Sequence, residues 1–164
     1  MSVDLVRIDN RLIHGQVIEA WVPHVHADRI LVVDDTVSSD PLQRAILELA
    51  TPRQIKLDIC TVEEAVALYR EDSFREFNTI VLFANPAEAY AAYSAGFGFT
   101  TLNVGNLHYA EGKERVTPSV CCDRSEMDIL RRFAQSGVVV EIRAVPRDTI
   151  RRISPDGNAN AEQH

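Results

Sequence analysis

The sequence contains no apolar run close to the roughly 20 residues that a membrane-spanning helix requires. Its first residues, MSVDLVRID, also lack the basic region and the apolar core of a secretory signal peptide. Positive charge is in short supply, because 17 Lys plus Arg stand against 24 Asp plus Glu and give a formal net charge of -7. Such a chain repels phosphate backbones and anionic lipid. We therefore expect a cytoplasmic protein with no nucleic-acid partner.

Cysteine is also scarce, with only Cys60, Cys121 and Cys122 in the chain. Adjacent residues of a strand point to opposite faces, so a disulfide between Cys121 and Cys122 would be strained. A zinc site of the finger type needs two cysteine pairs or histidines at a fixed spacing, and His24-Val-His26 has no further ligand at a helpful distance in the sequence. We expect reduced thiols and no metal site.

The sequence has no glycine-rich loop for a nucleotide cofactor. Gly96-Phe-Gly98 lacks the spacing of a dinucleotide-binding motif, and it precedes a predicted strand where that motif opens a helix. No cofactor is therefore predicted.

The composition that remains is typical of one globular domain, with 46% hydrophobic and 25% charged residues in a chain of 164. Short segments rich in Val, Ile and Leu predict strands. Several of them are apolar at consecutive positions, as expected for parallel strands that helices cover on both faces. The predicted strands are residues 3–8, 29–33, 55–60, 79–83, 101–104 and 138–143.

Helices with clear N-terminal signals alternate with these strands. Asp40-Pro41 and Asn85-Pro86 each supply an N-cap and a first-turn proline, whereas Thr61 to Glu64 and Asp123 to Glu126 read as capping boxes. This alternation predicts an α/β fold, a single open doubly wound, mainly parallel sheet with helices on both faces.

The predicted alternation of strands and helices is less regular toward the C-terminus. Residues 116–120 are predicted to form a short antiparallel edge strand, and residues 147–153 a last short helix. We expect the domain to span residues 1–153 and residues 154–164 to form a polar, disordered tail.

The stretch RIDNRLIHGQV, residues 7–17, places charge where a plain turn would use Gly, Pro, Asn or Ser. In open sheets of this class, ligands bind beyond the carboxyl ends of strands, where loops meet helix N-termini. A helix that starts near Gly15 would direct its unpaired N–H groups at an anion, and the guanidinium of Arg11 matches phosphate oxygens. These residues predict a loop that binds phosphate.

His14 makes the same loop a candidate phosphate relay. A neutral imidazole nitrogen attacks phosphorus near pH 7, and the phosphoramidate that forms keeps a high transfer potential. Arg11 would balance the negative charge on the oxygens of the transferring phosphoryl group, and Asp9 could orient the His14 ring or fix Arg11 in place. A lone loop histidine is more often a surface or capping residue, so chemistry alone leaves both interpretations open.

Asp34-Asp35 follows the second predicted strand and suggests a rival function, the magnesium site of a two-component receiver domain. Receivers carry an acidic pair after strand one, an acceptor aspartate after strand three and a lysine after strand five. This chain has Asp9-Asn10, Cys60-Thr61 and Gly105-Asn106 at those places. The pair is better explained as a loop and capping feature.

The loop at residues 7–17 resembles the phosphorylation loop of the IIB component of the mannose, fructose and sorbose family of the bacterial phosphoenolpyruvate-dependent sugar phosphotransferase system. Other stretches resemble the same family in the same order, over roughly residues 3–148. They are VVDDTVSSDPL, TVEEAV, FANP, LNVG, EGK and VEIRAVP. A loop match in register with the fold is more specific than a lone glycine motif.

The resemblance implies an enzyme, a protein-Npi-phosphohistidine sugar phosphotransferase that needs no cofactor. His14 would accept a phosphoryl group, through Nδ1, from a phosphohistidine of the IIA component. Arg11 would assist onward transfer to a sugar held by the membrane IIC and IID components. Asp9 would shape the loop and orient the ring, and the remaining motif positions would bind the phosphoryl group. These positions are Arg7, Asn10, Gly15 and Gln16, with Arg7 equally suited to a structural ion pair.

The resemblance also implies a cytoplasmic protein that associates with the inner face of the membrane through IIC and IID. Where relatives usually read NVGGM, however, this chain has NVGNL followed by His108-Tyr109. A bulkier loop with aromatic rings, from Asn106 to Tyr109, could alter docking or the choice of partner. A second hypothesis is therefore a sensor that uses the same phosphorylation to change its binding partners and is not coupled to transport.

Overall fold

The computed structural model describes residues 3–156 and 159–161 and centres on one twisted sheet. Within those residues the sheet has eight strands. They are β1 (Leu5–Asp9), β2 (Arg29–Val33), β3 (Lys56–Cys60), β4 (Thr79–Phe83), β5 (Thr101–Asn106), β8 (Val139–Ile142), β9 (Arg151–Ile153) and β10 (Ala159–Ala161). Their order across the sheet is β10-β9-β8-β5-β1-β4-β2-β3, and all neighbours from β8 to β3 are parallel. The predicted open, mainly parallel sheet is confirmed.

Helices cover both faces of the sheet. They are a π-helix (Gln16–Trp21) that continues into α1 (Val22–Val25), then α2 (Asp35–Ser38), α3 (Pro41–Ala50), α4 (Val62–Arg70), α5 (Pro86–Ser94) and α6 (Arg124–Gln135). Trp21 and Leu47 bury the π-helix and α3 against one face, whereas Ala65, Ala89 and Phe133 bury α4, α5 and α6 against the other. No helix in the described ranges is long and apolar enough to cross a membrane.

The predicted N-caps account for where these helices begin. The carboxylate of Asp40 accepts hydrogen bonds from the backbone N–H groups of Leu42 and Gln43 at the start of α3. Asn85 caps α5 in the same way, and complete capping boxes open α4 and α6. Each cap satisfies backbone donors that the first helical turn leaves without an intrahelical partner.

The antiparallel part of the main sheet lies elsewhere than predicted. It is formed by β9, which pairs with β8, and by β10, which pairs with β9. The predicted edge strand at residues 116–120 falls instead in a separate antiparallel ribbon of β6 (Glu114–Thr117) and β7 (Val120–Cys122). A bridge between Val120 and Leu107, the residue after β5, joins that ribbon to the end of the main sheet, and Val120 is fully buried there.

Two C-terminal predictions need correction. The short helix expected over residues 147–153 is wrong, because residues 151–153 form β9, with Ile153 buried against the core beside β8. An open strand edge offers unpaired backbone groups, which favours strand pairing over an isolated turn of helix. Residues 159–161, assigned to the disordered tail, extend this edge as β10. Residues 157–158 and 162–164 of that tail lie outside the described residues.

The sheet brings the loop after β1 to the end of β5. β1 lies in the middle of the sheet between β4 and β5, and its five residues are all buried. The pairing with β5 shifts register after Ile8, so that Asp9 lies opposite Asn106. Side chains alternate along a strand, and Arg7 and Asp9 therefore share the face that carries Trp21.

Candidate functional site

The loop after β1 is folded around the carboxylate of Asp9. Its Oδ1 accepts a hydrogen bond from the backbone N–H of Arg11 at 2.9 Å, and its backbone carbonyl accepts one from the N–H of Leu12, also at 2.9 Å. Leu12 adopts a left-handed backbone with φ of 58° and, like Ile13, is buried in the core. The two apolar side chains fasten the loop, while Arg11 stays exposed to solvent.

Oδ2 of Asp9 binds the imidazole of His14. The distance from His14 Nε2 to Asp9 Oδ2 is 2.7 Å, and the side chain of Asp9 is fully buried. An ionised carboxylate can only accept hydrogen bonds, so the proton of the neutral imidazole lies on Nε2. The lone pair is consequently on Nδ1, which is the nitrogen expected to accept phosphorus.

Asp9 Oδ2 also accepts hydrogen bonds from two other side chains, Arg7 and Asn106. Nη2 and Nε of Arg7 lie at 2.9 and 3.2 Å, and Nδ2 of Asn106 at 2.9 Å. Burial alone would raise the pKa of Asp9, but the hydrogen bond from His14, the charge of Arg7 and the hydrogen bond from Asn106 outweigh it. The pKa of Asp9 therefore lies below its usual range. The carboxylate stays ionised at neutral pH and keeps His14 in one tautomer.

Arg7 is a structural residue of this site. Its guanidinium is fully buried, and Nη1 donates a 2.7 Å hydrogen bond to Oδ1 of Asn103. It lies 5.4 Å from the ring centre of Trp21, whose Nε1 donates to the carbonyl of Ala144 at 2.9 Å. Burial lowers the pKa of Arg7, and the charge of Asp9 opposes that change. The predicted contact of Arg7 with a phosphoryl group does not fit this burial, whereas the alternative ion-pair role does.

Gly105 in β5 gives Arg7 the room that it occupies. A β-carbon at this position would lie 1.9 Å from Cζ of Arg7 and 2.1 Å from its Nη2. Such contacts are far shorter than van der Waals distance, so a side chain at position 105 and the buried guanidinium exclude each other. The glycine is therefore needed for close approach.

The other predicted positions lie around the loop. The backbone N–H of Asn10 donates to the carbonyl of Asn106 at 3.1 Å, so Asn10 continues the pairing of β1 with β5. Gly15 is exposed, has a helical backbone and starts the π-helix, as the predicted helix start requires. Oε1 of Gln16 accepts a 2.8 Å hydrogen bond from Nδ2 of Asn106.

His14 lies at the wall of a cleft of about 770 Å³ between the loop, α1 and the segment after β8. The imidazole exposes only 8% of its surface, so the cleft is its route to solvent. Arg11 and Arg147, from separate segments, bring positive charge to the cleft, and Glu19 brings a carboxylate. The cleft is lined by Arg11, His14, Gly15, Gln16, Glu19, Ala20, Pro23, His24, Val145, Pro146 and Arg147. A larger cleft of about 910 Å³ runs along β3 and contains none of the predicted site residues.

The Asp34-Asp35 pair is confirmed as a capping feature. Oδ1 of Asp34 accepts hydrogen bonds from Thr36 and Val37 at the start of α2, and Oδ1 of Asp35 accepts one from Val62 at the start of α4. Among the described residues, no group of three or more His, Cys, Asp and Glu is arranged to hold a metal ion. The two carboxylates therefore accept hydrogen bonds from backbone N–H groups at the starts of α2 and α4.

Glu88, which is partly buried beside the same pair, makes a pH-dependent contribution to stability. Burial, together with the charges of Asp34 and Asp35, raises the pKa of Glu88 to about 7. A carboxyl whose pKa is raised on folding stabilises the protein fully below its unfolded pKa, and that contribution is lost as the pH rises toward 7. Replacing Glu88 by Gln should therefore raise the free energy of unfolding at pH 8, on the order of 2 kcal/mol, and change it little at pH 4.

Urea unfolding of the Glu88→Gln variant and the parent protein at the two pH values measures this difference. Gln keeps an oxygen for the backbone N–H of Asp35, which Oε1 of Glu88 accepts at 3.0 Å. Glu48→Gln, on the exposed surface of α3, is the matched control and should show no such pH-dependent gain. An equal effect of Glu88→Gln at pH 4 and pH 8 would contradict the assignment.

Sequence reasoning missed several parts of the site. Asn103, Gly105 and Asn106 lie on β5, almost 100 residues from the loop. Asn103 and Asn106 bind Arg7 and Asp9 from the neighbouring strand, and Gly105 leaves the space that Arg7 fills. The sequence marked this strand end by its polar residues and by the departure from relatives at Asn106, but it did not indicate which side chains these residues contact. Side chains that act across parallel strands have no fixed spacing from the loop in sequence.

Comparison with known proteins finds similar chains over most of the sequence. The model of the family described as the PTS system sorbose subfamily IIB component matches residues 3–160. The sorbose-specific EIIB component of Klebsiella pneumoniae is 33% identical over 148 residues, which cover 90% of each chain. The fructose-specific EIIB component of Bacillus subtilis is 28% identical, with 90% of this chain and 91% of the relative covered. The crystal structure of the IIBSor domain of the Klebsiella pneumoniae sorbose permease superposes with a TM-score of 0.85 at 33% identity and covers 92% of both chains.

Proposed function

The chain belongs to the sorbose subfamily of phosphotransferase-system IIB components, and we propose that its His14 carries the phosphoryl group. Membership in this family implies phosphoryl transfer in sugar uptake, together with IIA and membrane IIC and IID components. In the proposal, Nδ1 of His14 accepts the group from a phosphohistidine of IIA. It then passes the group to a sugar held by IIC and IID at the inner face of the membrane.

The observation that carries the proposal is the 2.7 Å contact between His14 Nε2 and Asp9 Oδ2. Because the proton is held on Nε2, the Nδ1 lone pair is available to attack phosphorus. The bond between Nδ1 and phosphorus forms while the bond between phosphorus and the donor imidazole breaks. The electron pair of that bond returns to the donor ring, and the His14 ring keeps its Nε2 proton. The positive charge that develops on the ring lies against the ionised Asp9.

Arg11 supports the transfer of the negative phosphoryl group. Its side chain is exposed and lines the same cleft as His14, where its planar guanidinium can bind two phosphoryl oxygens. Gly15 and Gln16 open the π-helix at the cleft, and among the described residues their backbone N–H groups have no acceptor within the protein. These donors favour the oxygens of a group bound at Nδ1. Passage between two nitrogens can proceed on such groups without a metal.

The test is phosphorylation by a IIA component that carries a radioactive phosphoryl group. We expect one acid-labile label per chain, mapped to His14, and loss of that label to sugar when membranes containing IIC and IID are added. His24, which lines the same cleft, should stay unlabelled. Label at Asp34 or Asp35 would contradict the proposal. A label on His14 that never reaches sugar would instead indicate the sensor that changes its partners without transport.

A further inference from the structure

Asn106 at the end of β5 links the two halves of the site through one amide group. Its Nδ2 donates to Oδ2 of Asp9 at 2.9 Å and to Oε1 of Gln16 at 2.8 Å. The register shift between β1 and β5 is what places Asn106 directly opposite Asp9. Asn106 therefore contacts both the group behind His14 and a residue of the cleft wall. Nη2 of Arg7 contacts the same two residues, but it lies 3.5 Å from Gln16.

The hydrogen-bond chemistry fixes which way both amides point. An ionised carboxylate requires a donor, so Asn106 must present its NH2 group to Asp9. Gln16 then faces two donors, Nδ2 of Asn106 and, at 3.5 Å, Nη2 of Arg7. Only the Oε1 orientation of Gln16 satisfies both, because a flipped amide would set NH2 against NH2. The Nε2 group of Gln16 is consequently left for the cleft that it lines with His14.

We propose that Asn106 is a positioning residue for phosphoryl transfer at His14. It holds the carboxylate of Asp9 in place, which keeps the proton on Nε2 of His14. It also holds the amide of Gln16 so that its NH2 group is offered to a phosphoryl oxygen at Nδ1. The inference rests on the proposed function of His14, and it adds how a neighbouring strand orients both the nucleophile and an oxygen ligand.

Other side chains at this position would not do the same. An alanine removes both hydrogen bonds and leaves Gln16 Oε1 only the 3.5 Å contact with Arg7, so that the amide can turn its oxygen toward the cleft, where it would repel a phosphoryl group. An aspartate has the shape of asparagine but sets a carboxylate oxygen against Asp9 and against Oε1 of Gln16. Protonation of that aspartate restores one donor, so its defect depends on pH, whereas a purely steric defect does not.

The experiment measures single-turnover phosphorylation by phosphorylated IIA, in N106A and N106D, between pH 5 and pH 8. We expect the rate of His14 phosphorylation at pH 8 to be about 10-fold lower in N106A and about 100-fold lower in N106D, because hydrogen bonds to a charged group are lost. As the pH falls from 8 to 5, the ratio of the N106D rate to the parent rate should rise by about fivefold or more. Asn85→Asp makes the same chemical change at the N-cap of α5 and should leave the rate unchanged.

A double-mutant cycle with Gln16→Ala tests whether Asn106 acts through Gln16. N106A should cost clearly less in the Q16A background than in the parent chain, since one of its two targets is already gone. Thermal melts of each variant establish that the folded protein is assayed. The inference about Asn106 would be overturned, and the proposed function would stand, if the parent protein is labelled on His14 and both N106A and N106D react within twofold of its rate. A ratio of the N106D rate to the parent rate that does not change with pH would have the same meaning. Parent protein that takes no label on His14 would overturn the proposed function.

Discussion

Asp9→Asn is expected to lower the rate of His14 phosphorylation by about 10² to 10⁴-fold, the range found when a residue that fixes a catalytic histidine is neutralised. Both oxygens of Asp9 accept hydrogen bonds, Oδ1 from Arg11 and Oδ2 from four donor atoms on Arg7, His14 and Asn106. An asparagine has one such oxygen. If it faces Arg11, its NH2 group faces Nε2 of His14, which must then accept, and the proton moves to Nδ1, so that the nucleophilic lone pair is lost from the side of the cleft. If it faces His14, its NH2 group opposes the N–H of Arg11. In both orientations the positive charge that develops on the ring loses its counter-charge.

The substitution also leaves the buried Arg7 without its counter-charge, so some loss of stability accompanies it, about 3 to 5 kcal/mol. The rate is therefore measured by single turnover at a temperature where circular dichroism shows the variant to be folded. Asp40→Asn is the matched control, because asparagine caps the helix as well as aspartate does, and should behave like the parent protein. A folded Asp9→Asn protein within tenfold of the parent rate would show that Asp9 does not set the tautomer.

Gly105→Ala is expected to destabilise the protein by about 3 kcal/mol or more, which corresponds to a fall in melting temperature on the order of 10 °C. The new methyl group would lie 1.9 to 2.3 Å from three atoms of the Arg7 guanidinium. A flexible side chain at a surface would turn away at little cost. Arg7 cannot do so, because it is fully buried and its hydrogen bonds to Asp9 and Asn103 would break.

Gly15→Ala is the control for this substitution. Gly15 has φ of -50° and a β-carbon there would meet no heavy atom within 4 Å, so its effect on stability should stay within about 0.5 kcal/mol. Differential scanning calorimetry of the two variants gives the comparison directly. A Gly105→Ala protein that melts within 2 °C or so of the parent would mean that the guanidinium has another place to go.

The main architecture could be predicted because its signals are local. Asp40, Thr61, Asn85 and Asp123 each act within three or four residues, and all four cap the helices that their sequence context predicts. The antiparallel edge could not be placed in this way. Pairing of β9 with β8 depends on an edge that exists only once the sheet has formed, and the segment itself has a single buried side chain, Ile153.

The candidate site also has one part that the sequence indicates and another that depends on the folded sheet. The loop from Asp9 to Gln16 is contiguous, so its chemistry can be recognised from residue types and order. Whether Arg7 contacts a ligand or supports the fold depends on its depth, which is set by Gly105 and Asn103 on the neighbouring strand. Asn106 reaches Asp9 because the pairing of β1 with β5 shifts by one residue, and no pattern in the sequence indicates that shift.

Trp21 is the one tryptophan of the chain, and it lies within the network that supports His14. Its indole is 1% exposed and carries the guanidinium groups of Arg7 and Arg143 at 5.4 and 5.1 Å from the ring centre. Indole fluorescence responds to nearby charge, and here all tryptophan emission comes from one ring beside the loop. The chain thus contains its own optical reporter, and stopped-flow mixing with a phosphoryl donor can be followed without attaching a dye.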